Sequence, residues 1–132
     1  MSSKDKVENF LSQYNRLPLK VNPIIDDTTL RDGIQMSGTA TSPRHARHIA
    51  YLLDAIGVER IEVHQYQKPD QEAIKLIQDM GLKARLAPWC RATKDDVDIA
   101  LKLDVKEIGI SHPVSNIHFK AKWPNISSDT LL

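Results

Sequence analysis

The sequence predicts an α/β fold in which parallel strands alternate with helices, and two observations support this prediction. Short β-branched segments and amphipathic segments follow one another four times along the 132 residues, the last unit lacking a complete helix. This alternation requires right-handed βαβ crossovers. Clusters of polar residues directly follow each predicted strand. Because ligands bind at the carboxyl ends of the strands in such folds, the sequence predicts a site at that edge.

The predicted elements begin with a helix in an N-terminal extension, residues 1–20, whose apolar spacing is helical over residues 7–14. Ile24 and Ile25 predict the first strand. Ser42 then supplies a helix N-cap, with Pro43 at the first helical position. The helix that follows ends at a glycine, Gly57, and its apolar stripe consists of Ala46, Ile49, Ala50, Leu53 and Ile56.

The rest of the chain repeats this pattern of strand and helix. A second helix opens at Pro69 and closes at Gly81, and Thr93 with Asp96 forms a variant of the capping box for a third. Residues 127–130 indicate the start of a further helix. The remaining predicted strands are residues 60–63, 83–89 and 105–110.

Composition favours small-molecule chemistry in the cytosol. The formal net charge is +1, which does not indicate a nucleic-acid partner, and no apolar run is long enough to cross a membrane. The first residues carry no apolar signal segment. The single cysteine, Cys90, cannot form an internal disulfide and is expected to be a small buried residue.

The polar segment after the first predicted strand, Asp27–Gln35, carries a specific resemblance. Its letters, D-T-T-L-R-D-G-I-Q, resemble the D-T-T-L-R-D-G-x-Q signature of the metal-dependent TIM-barrel acyl-CoA family. That family includes 2-isopropylmalate, homocitrate and citramalate synthases and, more distantly, hydroxymethylglutaryl-CoA lyase. Three further segments resemble the family in the same order: Gly57–Val63, Cys90–Ala92 and Ser115–Lys120.

The resemblance implies a (β/α)8 barrel, of which this chain has room for the N-terminal half. A complete barrel takes about 250 residues. We therefore expect residues 21–132 to be the first half, about four βα units, of a pyruvate-carboxyltransferase-like catalytic domain that is truncated here. The open sheet edges lead us to expect either a missing C-terminal half or a homo-oligomer.

The resemblance also implies roles for individual residues and a reaction. Arg31 would stabilise a developing oxyanion, Asp32 would bind a divalent metal, Gln35 would contact substrate, and Glu62 would project beside them as a catalytic group. The reaction would be a Claisen-type condensation of acetyl-CoA with a 2-oxo acid. The metal would be Mg²⁺ or Mn²⁺, with Zn²⁺ as an alternative. The alternative functions are a lyase of the same family and a non-catalytic half-barrel that assembles or binds.

Departures from the family pattern leave several roles open. His64 stands where the synthases have glycine, and we interpret it as a substrate-binding or acid–base residue or as a hydrogen-bonded wall residue. Arg91 would bind a substrate carboxylate or pair with Asp95 or Asp96. The H-x-H metal pair of the family is absent from the sequence, so the ligand set around Asp32 is incomplete and the isolated chain is expected to be inactive.

Glu62 and the segment after the fourth predicted strand each have two interpretations. Glu62 would either act in the site or pair with Arg31. His118 and Lys120 would reach the phosphates of CoA or lie in a solvated loop.

Overall fold

The computed structural model describes residues 23–125 and contains a parallel sheet with a helix after each strand. The predicted helices at residues 7–14 and from 127–130 lie outside this range. The strands are β1 (Asp26–Asp27), β2 (Arg60–Val63), β3 (Arg85–Arg91) and β4 (Gly109–Ser111). The helices are α1 (Pro43–Ala55), α2 (Lys68–Gln78), α3 (Lys94–Lys102) and α4 (Asn116–Lys122).

The four strands lie side by side in sequence order and pair in parallel. Successive parallel strands joined by helices form the repeating unit of a (β/α)8 barrel. The predicted fold class, an α/β half-barrel, is therefore confirmed. No helix within residues 23–125 is both long and apolar enough to cross a membrane.

The first strand lies two residues later than predicted. Ile24 and Ile25 are 56% and 59% exposed, and the ladder with β2 begins at Asp26. The reason is local: the backbone N–H of Ile25 donates to the carboxylate of Glu59 at 2.7 Å, whereas a ladder would require a backbone carbonyl of the neighbouring strand. The predicted strand at Ile24–Ile25 is thus the approach to β1.

Strands β3 and β4 also begin later than predicted, because the sheet is staggered. The first four residues of β3, 85–88, pair with β2, and its last three, 89–91, pair with β4. Residues 105–108 therefore precede the segment that pairs with β3, and the pairing begins at Gly109. Such a stagger is the shear that lets a sheet curve into a barrel.

Helix α1 begins as predicted and buries only part of its predicted stripe. Ser42 caps it by accepting the N–H of His45 at 3.2 Å, and Gly57, with φ of +88°, terminates the segment. Ala46 and Ala50 are buried against the sheet, but Ile56 is 78% exposed. Ile56 is the C-cap residue, with non-helical backbone angles, so it leaves the apolar face of the helix.

Helix α2 begins at Lys68, one residue before the predicted start. Helix α3 starts after Thr93, but the predicted capping box is wrong: the Thr93 hydroxyl makes no hydrogen bond within residues 23–125. Asp96 is used elsewhere, because its carboxylate accepts hydrogen bonds from Tyr66 and Arg91. Three-residue spacing alone did not reveal this competition for the carboxylate.

The core lies between the sheet and the helices α1 and α2. Ile61 of β2 and Ile74 of α2 are fully buried, and Ile77 is 2% exposed. Burying an isoleucine side chain contributes about 1.5–3 kcal/mol, so these three residues fix α2 against the second strand. The alternation along β2 then turns Glu62 to the opposite face of the sheet.

The segment after β4 is a helix, which contradicts the predicted solvated loop at His118 and Lys120. Ser115 caps α4 by accepting the N–H of His118 at 3.2 Å. Phe119 is buried and contacts Trp123 at a ring distance of 5.3 Å, which anchors the short helix. His118 and Lys120 lie on its exposed side.

Candidate active site at the carboxyl ends of the strands

The segment after β1 folds into a tight turn that fixes Arg31 and Asp32 at the strand end. The carbonyl of Thr28 accepts the backbone N–H groups of Arg31 at 3.0 Å and Asp32 at 2.8 Å. Asp27 closes the start of the turn, since its carboxylate accepts the backbone N–H and the hydroxyl of Thr29 at 2.9 and 3.2 Å. Asp27 therefore serves the turn, whereas the next carboxylate, Asp32, remains 59% exposed.

The guanidinium of Arg31 is held on two sides. It pairs with the carboxylate of Asp32 and lies over the indole ring of Trp89, 4.4 Å from the ring centroid. A cation over an aromatic face is stabilised by about 0.5–2 kcal/mol. The Nε–H of Arg31 is buried and has no hydrogen-bond partner within residues 23–125. Arg31 is thus a positioned cation with an unused donor.

Glu62 projects from the middle of β2 toward the same region. Burial raises the pKa of its carboxyl, and the positive charge of Arg31 opposes that rise. Strand β4 makes room for it: a Cβ on Gly109 would lie 3.2 Å from Glu62 Oε1, closer than most real Cβ contacts. Glu62 is therefore a partly desolvated carboxyl group beside a cation, which is an environment suited to proton transfer.

His64 follows β2 and joins the segment after β1 to helix α2. Its Nδ1 lies 2.9 Å from Asp70 Oδ2, and its Nε2 lies 3.3 Å from the side-chain nitrogen of Gln35. The backbone N–H of His64 also donates to the carbonyl of Leu30 at 3.3 Å, extending the pairing of β1 with β2. Gln35 and His64 are therefore in direct contact.

Two aromatic residues connect these groups into one site. Tyr66 contacts the ring of His64 edge-on at 4.9 Å and the ring of Trp89 at 6.5 Å. The guanidinium of Arg91 lies 5.4 Å from the Tyr66 ring centroid. The aromatic pair thus links the arginine after β1, the histidine after β2 and the arginine at the end of β3.

Arg91 is engaged by Asp96, one of the alternatives that the sequence left open. The carboxylate of Asp96 accepts the backbone N–H, Nε and Nη2 of Arg91 at 2.8, 3.0 and 2.7 Å, and the hydroxyl of Tyr66 at 2.5 Å. These hydrogen bonds, those of Arg91 first, hold the pKa of Asp96 well below its ordinary value. Burial and the bond to Asp96 raise the pKa of Tyr66 to about 12.

Cys90 is completely buried, as the sequence predicted, and accepts a hydrogen bond from Gln65 Nε2 at 3.1 Å. Burial raises the pKa of its thiol. A buried thiol with a raised pKa is a poor nucleophile, so Cys90 is a packing residue under the site.

The described residues do not by themselves form a metal centre. Within residues 23–125, no three His, Cys, Asp or Glu side chains cluster as a metal site would require. Asp32 offers exposed carboxylate oxygens, while Asp27 is occupied by its own turn. Hard divalent ions take about six oxygen ligands. A metal held at Asp32 would therefore need ligands from outside this range.

All six residues singled out in the sequence lie at or near the carboxyl ends of β1, β2 and β3. Contacts connect Arg31 to Asp32, Gln35 to His64, and Arg31 and Arg91 to the aromatic pair. Sequence reasoning missed Tyr66, Trp89 and Asp70. Tyr66 and Trp89 follow or end predicted strands, so their positions were a usable signal. The sequence did not indicate Asp70 as a capping residue, because its N-cap partner, Gln67, is not one of the residues usually found at that position.

The fold and site together define a parallel α/β half-barrel with a cluster of charged and aromatic side chains at the carboxyl ends of its strands. The HMGL-like family matches residues 22–130. The chain therefore belongs to the HMGL-like family.

Relatives of known name agree with this assignment. The chain is 39% identical over 109 residues to (R)-citramalate synthase of Methanocaldococcus jannaschii, covering 81% of this chain and 22% of that protein. It is 38% identical over 102 residues to homocitrate synthase 1 of Nostoc sp., covering 76% of this chain and 27% of that protein. It is 37% identical over 100 residues to 2-isopropylmalate synthase 2 of Caldanaerobacter subterraneus, covering 74% of this chain and 26% of that protein. The chain spans about a quarter of the length of these relatives.

Proposed function

We propose that this chain provides the first four βα units, residues 21–132, of an enzyme that condenses acetyl-CoA with a 2-oxo acid. Residues 1–20 would be an extension that precedes the barrel. The observation that carries the proposal is the positioned Arg31, whose Nε–H is buried and unpartnered within the described residues. The names of the relatives support the substrate class, since citramalate, homocitrate and 2-isopropylmalate synthases all appear among them.

The reaction consists of a carbon–carbon bond formation followed by a hydrolysis. The methyl group of acetyl-CoA loses a proton to a base, and the resulting enolate carbon attacks the 2-oxo carbon. The oxo oxygen becomes an alkoxide and takes up a proton to form a hydroxyl group. Water then cleaves the thioester, which releases a carboxylate and the free thiol of CoA.

Arg31 would stabilise the negative charge that develops on an oxygen during the condensation. Its guanidinium is held by Asp32 and by the Trp89 ring before substrate arrives, so little reorganisation is needed. Preorganised donors of this kind contribute about 2.7–4 kcal/mol to a transition state. The unpartnered Nε–H gains a partner in the same step.

Glu62 would accept or donate a proton during the reaction. Gln35, His64 and Arg91 would bind substrate. Burial raises the pKa of Glu62, which brings a carboxyl closer to the range where it exchanges protons near neutrality. Arg91 is the weakest of the substrate-binding candidates, because Asp96 already occupies its Nε and Nη2. Asp32 would supply one ligand to Mg²⁺ or Mn²⁺, or to Zn²⁺, with the other ligands coming from outside residues 23–125.

Thiol release by the complete protein tests this function. The protein encoded by the whole reading frame is incubated with acetyl-CoA, Mg²⁺ or Mn²⁺ and a panel of 2-oxo acids, and free thiol is measured. We expect release with at least one 2-oxo acid and a loss of about 100-fold or more in Asp32→Asn, by analogy with the removal of one preorganised charged contact. The control is Asp79→Asn, an exposed aspartate at the end of α2.

Two results would contradict the proposal. Acetyl-CoA formed from a 3-hydroxyacyl-CoA, without thiol release from any 2-oxo acid, would assign the lyase reaction. A stable, defined oligomer of the 132-residue chain, with neither activity in the complete protein, would assign a binding or assembly role.

A further inference from the structure

Asp70, His64 and Gln35 form a hydrogen-bonded row across the end of β2, and the proposed function gives Asp70 no role. The row runs from Asp70 Oδ2 to His64 Nδ1 at 2.9 Å and from His64 Nε2 to Gln35 Nε2 at 3.3 Å. The side chains of His64 and Asp70 are each 18% exposed, so water competes little for the bond between them. Gln35, at the other end, is exposed and accessible to a ligand.

The donor and acceptor atoms of Asp70, His64 and Gln35 are compatible with one placement of the hydrogen on the imidazole ring. An ionised carboxylate only accepts, so the ring nitrogen that faces Asp70 carries the hydrogen. In the neutral imidazole the other nitrogen, Nε2, then presents a lone pair. The side-chain nitrogen of Gln35 only donates, and it is this atom that faces the lone pair. His64 is therefore a donor toward α2 and an acceptor toward Gln35.

Asp70 is itself held in place. Its Oδ2 accepts the backbone N–H of Gln67 at 2.9 Å, and it lies in the first turn of the eleven-residue helix α2. The partial positive charge of a helix N-terminus favours an ionised carboxylate there. The ring of Tyr66 contacts His64 edge-on from another side. The imidazole is thus fixed by a carboxylate and an aromatic ring.

We propose that Asp70 is a positioning residue that fixes His64 as the Nδ1–H tautomer and thereby orients the side-chain amide of Gln35. The amide nitrogen is turned toward the ring and the amide oxygen away from it. Gln35 then offers that oxygen to a hydroxyl or N–H group of a ligand. Only the identity of this ligand, a substrate or product of the condensation, rests on the proposed function.

Nitrogen-15 NMR of the imidazole reads the tautomer directly. The complete protein is labelled in its histidine side chains and measured without substrate, about two pH units above the ordinary histidine pKa of about 6.5. His64→Gln identifies the signals of His64. We expect Nδ1 to be protonated and Nε2 to be unprotonated in the wild type. A protonated Nε2 would overturn the proposal without any variant.

Two substitutions separate Asp70 from Gln35 as the cause. In Asp70→Asn the new amide can donate to Nδ1, so we expect the tautomer ratio to shift at least tenfold toward Nε2–H. The same exchange next to a triad histidine keeps the geometry but gives the wrong tautomer. Gln35→Met removes the partner of Nε2 at an exposed position and should leave the Nδ1–H tautomer unchanged. An unchanged ratio in Asp70→Asn, or a shifted one in Gln35→Met, contradicts the proposal.

Kinetics then distinguish this inference from the proposed function. We expect Asp70→Asn to raise KM for acetyl-CoA, the substrate that carries hydroxyl and N–H groups, about tenfold and to change kcat less than twofold, as when binding shared by ground and transition states is lost. Glu72→Gln removes a neighbouring exposed charge on α2 and should change neither. If His64 has the predicted tautomer but the complete protein releases no thiol, only the proposed function is contradicted. If the complete protein releases thiol but His64 has the other tautomer, or KM for acetyl-CoA is unchanged in Asp70→Asn, only the positioning role of Asp70 is contradicted.

Discussion

Two arginine–aspartate pairs lie at the carboxyl ends of β1 and β3, and they differ in which hydrogen-bonding groups remain without a partner. In the pair after β3, Asp96 is 1% exposed and its carboxylate accepts four hydrogen bonds, three from Arg91 and one from Tyr66. In the pair after β1, Asp32 is 59% exposed and the Nε–H of Arg31 has no partner within residues 23–125. The Asp96 carboxylate of the first pair is thus fully hydrogen-bonded, whereas the second pair keeps a donor and an exposed carboxylate that a ligand could use.

The difference follows from where each carboxylate comes from. Asp96 belongs to helix α3, and the packing of that helix on β3 carries the carboxylate to Arg91 and Tyr66. Asp32 is the direct neighbour of Arg31 in a turn, so it stays at the surface. A buried carboxylate must be fully hydrogen-bonded to be tolerated. An exposed one is free of this requirement and can exchange partners.

The largest expected effect comes from exchanging the two arginines for lysine. Arg31→Lys removes the Nε–H and the planar cation, so we expect kcat/KM for condensation to fall about 100- to 1,000-fold with the melting temperature unchanged. Arg91→Lys should lower kcat/KM by less than tenfold, because Asp96 already holds the Nε and Nη2 of Arg91. Thiol release and thermal unfolding measure the two quantities. Equal losses of activity in both variants would remove the distinction between the pairs.

A somewhat smaller effect is expected from Asp96→Ala, and it concerns stability. The substitution leaves the backbone N–H of Arg91 without its acceptor and leaves the Tyr66 hydroxyl with only the more distant carbonyl of Trp89, at 3.3 Å. Each unsatisfied buried group costs about 1–3 kcal/mol, while Arg91 itself, with 56% of its side chain exposed, can turn to solvent. We expect the free energy of unfolding of the complete protein to fall by about 2–3 kcal/mol in urea. Asp95→Ala, an exposed neighbour, should change it by less than about 0.5 kcal/mol.

The smallest expected effect is a dependence of stability on alkaline pH through Tyr66. The folded-state pKa of Tyr66 is raised to about 12, above the ordinary value of about 10. Its contribution is therefore fully present below pH ~10 and decreases as the pH rises toward 12. Urea unfolding between these values should show a steeper loss in the wild type than in Tyr66→Phe. Parallel curves for the two proteins would show that the hydroxyl bond to Asp96 does not matter.

The depressed pKa of Asp96 has the opposite sign at acidic pH. Because its folded-state pKa lies below the unfolded value of about 3.9, its contribution is present above that value and is lost only as the pH falls further toward the folded pKa. The pair of Arg91 and Asp96 is thus retained across the neutral range. Any change of activity near neutral pH must come from other groups.

The sequence determined the elements and the edge at which the site forms. Capping residues such as Ser42, the terminating Gly57 and the periodic apolar stripes are local signals, so helix and strand types could be predicted. Parallel βαβ units bring the ends of the strands to one edge, so the sequence alone predicts that Arg31, Glu62 and Arg91 lie in one region. The nine-residue signature at Asp27–Gln35 predicted the family.

Only the tertiary structure decided which polar groups pair with which. The start of β1 depends on the carboxylate of Glu59 taking the N–H of Ile25, and the starts of β3 and β4 depend on the stagger of the sheet. Asp96 is taken from its helix cap by Tyr66 and Arg91, and Asp70 reaches His64 six residues back in the chain. In the cases of Asp96 and Ile25, the outcome depends on which donors and acceptors come within hydrogen-bonding distance of one another. Distances in three dimensions decide this outcome, and spacing along the chain does not carry that information.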